Sequence, residues 1–330
     1  MIREHFVAVA VPTQVRGGKS PEAEFIRACG CQWVTSAGYM DVVTASGAHL
    51  GGFPSQKILD EFRKLPEESR RPNGGQIADL KPGESAVPTP PENGLILRVH
   101  TRAMARDGEG GYRAVTVEDY PLVKGDVAHF DWLKSFGNFG PNVDSMWLTE
   151  DEWRALLPAE PVTGERREVD PAVTERLVRF HLVPHKMVGG GGGWSKAHVN
   201  KAKLTLIVDE VTKDRVRLRA EGFAHMGSTY DVATATSPNG PLGHGYEAPL
   251  HGLLEYDRAK DEFTRFDLIA LGDIWGRWGD ANGKSMGVER AGRNPILIAF
   301  ELATGDSPTN RIPPGGWGYY LDLGYFANRE

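Results

Sequence analysis

Cysteine is nearly absent from this chain: there are two in 330 residues, Cys29 and Cys31. That excludes a secreted scaffold held together by several disulfides and makes a reducing, cytoplasmic setting the expectation. Long apolar runs are missing too. No stretch reaches the ~20 residues a spanning helix needs. The opening MIREHFVAVAVPT has an apolar centre too short for a signal peptide, so no membrane span is expected. Positive charge is not in excess. The 38 Lys and Arg stand against 44 Asp and Glu, giving a net charge of −6. No long basic stretch stands out, so no nucleic-acid partner is expected. Strong catalytic signatures are also lacking: there is no G-x-S-x-G elbow and no H-E-x-x-H pair. The five glycines Gly189 to Gly193 lack the G-K-S/T ending of a phosphate loop and read as a flexible loop.

What is present reads as two parts. Phe6 to Val11 is an apolar run ended by Pro12, as in a buried strand. Ser20-Pro21-Glu22 opens a helix with a cap residue, a proline at the first position and an acid at the positive end of the dipole. Phe25, Ile26 and Cys29 are its expected buried face. Tyr39 to Thr44 is a second strand, and Ala48 to Leu50 pairs back on it across a turn. Pro54-Ser55 opens a helix with the apolar stripe Ile58, Leu59, Phe62 and Leu65, closed by Pro66. Residues 67 to 94 are rich in Pro, Gly and charge and read as a linker.

From residue 95 onward the pattern is mainly strands. Leu95 to Thr101 is one. Thr149 and Glu152 spell a capping box, with Leu148 and Trp153 placed to staple across it. Asp170-Pro171 starts a helix running through Phe180. Residues 203 to 223 read as a hairpin around Thr212-Lys213-Asp214, one face buried and the other wet. A second hairpin follows from Gly252 to Tyr256 and Phe263 to Trp275, and Ile296 to Leu302 is a last strand. Strands joined by short turns suggest an antiparallel sandwich or barrel. The fold class expected is therefore α+β.

The pieces HFVAVAV, YMDVVTASGAHLGG and PSQKILDEFRKL resemble, in that order, the C-terminal half of a thioredoxin-like domain. The resemblance implies two antiparallel strands and a closing helix over residues 1 to 66. The whole layout is similar to a group of uncharacterised bacterial thioredoxin-like proteins, at VDSMWLTEDEWRALLP and GLLEYDRAKDEFTRFDLIALG. Two departures from the family matter. The chain begins after the point where the C-x-x-C pair belongs, whether by evolution or because it is a fragment. Gly38 and Tyr39 stand where the family has its cis-proline. The resemblance therefore carries no redox role to any residue here, and the segment is expected to be degenerate.

Three groups of residues remain as candidates. Cys29 and Cys31, one residue apart, are a redox pair or a soft-metal pair if their thiolates are stabilised. Placed at a helix C-terminus, they face the wrong end of the dipole and read better as small buried residues around a glycine. His181, His185 and His198 flank the glycine run, and His225, His244 and His251 bracket a long loop. Imidazoles gathered by loops bind divalent metal, the only cofactor this sequence suggests. Against that stands the ordinary reading, histidines bonded to backbone or water. Trp275, Trp278, Trp317, Tyr319 and Tyr320 make the C-terminus aromatic, as core or as a pocket lining. The expectation is a non-catalytic protein that binds a small molecule or a protein partner. Its alternatives are a thiol-dependent redox protein and a metal-dependent enzyme.

Overall fold

The computed structural model describes residues 21–29, 41–52, 55–71, 88–120, 142–183, 193–237, 243–277, 290–305, 310, 312–315 and 319–326. The chain divides into two compact units, Met1–Thr89 with Gly316–Gly318, and Pro90–Gly315 with Tyr319–Glu330.

In the first unit, helix α1 (Pro21–Ala28) begins at the expected proline. Strands β1 (Asp41–Val43) and β2 (His49–Gly52) pair antiparallel, Asp41 opposite Gly52. Helix α2 (Gln56–Lys64) is capped by Ser55, whose hydroxyl accepts from Ile58 N at 3.3 Å. It buries Ile58 and Leu59 and ends at Leu65 before Pro66. The expected strand at Phe6 to Val11 lies outside the described residues. The expected linker begins with structure instead: Glu67–Arg70 is a further helical turn, α3, started by Pro66 and carrying acids in its first turn. The acids favour a helix start at this point.

The second unit is built on one antiparallel sheet. Its strands are β3 (Leu95–Arg106), β4 (Tyr112–Ala114), β5 (Asn142–Leu148), β6 (Arg166–Glu168), β7 (Val199–Val211), β8 (Arg215–Gly227), β9 (Gly243–Asp257), β10 (Glu262–Arg277) and β11 (Asn294–Leu302). The order is β4-β3-β11-β10-β9-β8-β7-β6, with β5 pairing on β3. The sequence left sandwich and barrel open. The described strands of this unit form neither two facing sheets nor a closed ring, but a single sheet with β6 at one end. Both expected hairpins are present, the first turning at Thr212–Asp214 and the second at Arg258–Asp261.

Short helices cover the inner face. Helix α4 (Glu150–Arg154) carries the Thr149–Glu152 capping box and buries Trp153. The Trp153 indole N–H donates to Asn93 O at 2.9 Å. Helix α5 (Pro171–Arg176) is capped by the Asp170 carboxylate, which accepts from Ala172 N at 2.7 Å. Instead of continuing as an α-helix through Phe180, the chain widens over Leu177–His181 into a π-turn closed by Leu182 N–H donating to Leu177 O. Val173, Leu177, Val178 and Leu182 pack against Leu204, Leu206, Leu218, Leu250, Leu254, Leu268 and Ile298 of the sheet, forming the core. The glycine run ends in a close approach. A Cβ on Gly193 would stand 2.3 Å from Arg179 O, and Trp194 N donates to that same oxygen. Beyond β11, helix α7 (Tyr319–Asp322) and the turn after it bury Tyr320 and Tyr325. One further helix, α6 (Val232–Thr236), follows β8 and is capped by Asp231. Among the described residues no helix is long and apolar enough to cross a membrane.

Candidate functional site

Two arrangements in the second unit stand apart from ordinary packing. One is a buried polar chain. Asp144 on β5 accepts from Gly315 N at 2.8 Å, and its other oxygen lies 3.3 Å from His181 Nδ1. His181 Nε2 is 2.7 Å from the Tyr325 hydroxyl, which in turn accepts from Trp147 N at 3.2 Å. With the backbone N–H donating to the phenol oxygen, the phenol proton is directed at His181 Nε2. The single proton of the neutral imidazole then sits on Nδ1, the nitrogen facing Asp144. Arg176 lies over the rings of Tyr325 and Phe326, 5.0 and 4.9 Å from their centroids, and pairs with Glu152 at 2.6 Å. Burial pushes the Tyr325 hydroxyl well above its ordinary pKa, which keeps it a neutral donor. Carboxylate, imidazole and phenol form a sequence known from catalysis. Here, however, His181 is 1% exposed and Tyr325 2%, and each group is spent on its neighbour. Chemically the chain is a tie that fastens the residues around 320–325 to β5 and the π-turn.

The other arrangement is on the opposite face of the sheet. A solvent-facing antiparallel face alternates to polar residues, and much of this one does. Arg217 pairs with Glu255, Arg265 with Asp267, and Arg293 with Glu247 and Asp273. In the middle it does not. One level across the strands reads Phe223, Pro249, Leu271 and Leu297, and the next brings Ile269 and Ala299 together, with Leu253 beyond. None of these seven packs against the core. Leu253 and Ile269 are 46% and 45% exposed, and Val143 on β5, level with Ile269, is 58% exposed.

The candidates read from the sequence fall elsewhere. Cys29 is buried at the end of α1, and burial pushes its thiol pKa up, away from the reactive thiolate; Cys31 lies outside the described residues. His181 belongs to the buried chain. It sits in the helix's last wide turn, which accommodates it although Pro184 follows. His185 lies outside the described residues. His198 is within 3.0 Å of Ser195 Oγ, and His244 stacks on Trp194 at 4.9 Å between centroids. His225 lies 6.1 Å from the Trp275 ring, and His251 faces outward between Glu221 and Ile269. Among the described residues no three His, Cys, Asp or Glu side chains gather in a way that would hold a metal ion. Tyr320 packs against Phe180 at 5.0 Å, on the core side of the aromatic reading, while Trp278 and Trp317 lie outside the described residues. Asp144, Arg176 and Tyr325 were not singled out from the sequence, nor was the outer apolar band. The band did leave a trace: LLEY at 253–256 and LIAL at 268–271 place apolar residues on both parities of a strand, where a one-sided sheet needs only one.

No family model, curated protein or solved structure matches this chain.

Proposed function

We propose that the protein is a non-catalytic binding protein whose β-rich unit docks a partner protein on the outer face of its sheet, while the first unit is a degenerate thioredoxin-like segment. One observation carries the docking reading: the apolar band around Leu253 and Ile269 interrupts an otherwise charge-paired face. A contiguous apolar patch rimmed by polar residues is the usual mark of an interaction site. The order of helix, antiparallel strand pair and helix from α1 to α2 supports the thioredoxin-like part. The test uses the full chain and the apolar-surface dye bis-ANS. Wild type enhances dye fluorescence, and Ile269→Asp and Leu253→Asp each lose most of that enhancement with the thermal midpoint unchanged. Equal dye binding in both variants removes the reading.

A further inference from the structure

We propose that the segment docked on this band is an amphipathic helix of a partner protein with an acidic side chain near each end. The inference rests on the docking reading above and concerns the chemistry of the occupant.

Charge sets the ends. Around the band, the carboxylates of Glu255, Asp267, Glu247 and Asp273 are all engaged by arginines of the same face. Lys203, opposite Phe223, is held by Glu168, while two further cations beside the band, Lys201 and Arg102, have no acidic partner among the described residues. Lys201 holds its ammonium 5.0 Å from the centroid of Phe223. Arg102 stands opposite Leu297, with its Nε buried and unbonded among the described residues. Lys201, diagonal to Phe223 on β7, and Arg102 on β3 flank the row Phe223, Pro249, Leu271, Leu297 on its two sides, in a chain whose net charge is −6. An apolar row ending in cations on both sides fits an apolar segment ending in acids.

Backbone hydrogen bonding sets the conformation. Strands β8, β9, β10 and β11 are each paired on both sides, so the band offers no free edge for an added strand. A segment lying over apolar side chains must satisfy its own N–H and C=O groups, and a helix does this alone. From Lys201 on β7 to Arg102 on β3 there are five strand spacings, roughly 24 Å. At the helical rise that is about 16 residues, four to five turns.

The experiment titrates the full chain with a fluorescein-labelled synthetic helical peptide that has one leucine face and glutamates about 16 residues apart. The comparison peptide has lysines in place of the glutamates. The expected result is that the glutamate peptide binds roughly tenfold more tightly, a preference that shrinks in high salt. In the Lys201→Glu, Arg102→Glu double variant the preference inverts, and in Ile269→Asp neither peptide binds. Lys201 and Ile269 are exposed, so circular dichroism and thermal midpoints of Ile269→Asp and of Lys201→Glu alone should match wild type. Lys201→Glu alone should halve the preference on a logarithmic scale, which keeps the test readable if Arg102→Glu lowers stability, the Arg102 Nε being buried. If both peptides bind equally and lose binding in Ile269→Asp, the acidic-helix proposal is overturned and the docking reading stands. The same holds if neither peptide binds while bis-ANS binding depends on Ile269. If peptides and dye alike ignore Ile269, both fall.

Discussion

Leu253 and Leu254 are neighbours on β9, yet Leu254 is 1% exposed and Leu253 is 46% exposed. The same holds one strand over, where Leu268 is 1% exposed and Ile269 45%. The pleat sends successive side chains to opposite faces, so each pair samples both sides of one sheet. The inner side is shaped by the helices packed on it, and its leucines hold the fold. The outer side has the same residue types with nothing of the core against them. Composition alone therefore does not separate stability from binding in this unit; parity does.

The sharpest way to break that comparison is to truncate both members of a pair. Leu254→Ala removes a fully buried side chain and should cost about 3 kcal/mol, since a cavity is left behind. Leu253→Ala should change stability by less than about 0.5 kcal/mol, as surface positions do. Urea denaturation of the full chain measures both. Equal costs would mean that the outer face is as structural as the inner one, and the binding reading would lose its basis.

Much of the frame was legible from local signals. Ser55 and Pro66 bracketed α2, Pro171 opened α5, and the alternation on either side of Thr212–Asp214 gave the first hairpin. Those signals act within a turn or two of the chain. The rest depends on distant partners. Strand β5, NVDSMWL, buries Asp144 through Leu148 on both faces, so it shows no alternation and was not read as a strand. Its Trp147 is fixed by Tyr325, 178 residues away, and His181 meets that same hydroxyl across 144 residues. No spacing in a single sequence announces such a contact. β4 and β6, three residues each, are too short for a period to register.

A smaller effect checks whether a locally legible element matters to the packed unit. The capping box at Thr149 joins the end of β5 to α4, and its Glu152 also meets the buried Arg176. Thr149→Ala should cost about 1 kcal/mol by denaturant midpoint, the ordinary worth of a cap. Thr149→Ser should restore most of that cost. A loss well above that figure would mean that the cap also holds Glu152 for Arg176.

The smallest effect contrasts an ion pair inside the unit with one on its surface. Arg176 and Glu152 are 3% and 12% exposed, whereas Arg113 is 46% and Asp119 16% exposed. Asp119 nevertheless has the better geometry, accepting from both Arg113 terminal nitrogens at 2.7 Å and from Thr116 N at 2.6 Å. The Arg113 hydrogen bonds, against the cost of partial burial and helped by Thr116, hold its carboxyl down at about 2. An unfolded aspartate titrates near 3.9. A depressed folded-state value stabilises the ionised form, so the contribution is complete above about pH 4 and is lost as pH falls toward about 2. The open setting of Arg113 limits its size to below about 1 kcal/mol, and added salt reduces it further. Asp119→Asn should therefore be slightly less stable than wild type at neutral pH, with the gap closing on acidification between those two values. Parallel urea titrations from pH 7 to pH 2.5 read that gap. If it stayed constant or widened as the pH fell, the carboxylate's charge would not be what ties the β3–β4 hairpin to the turn that follows.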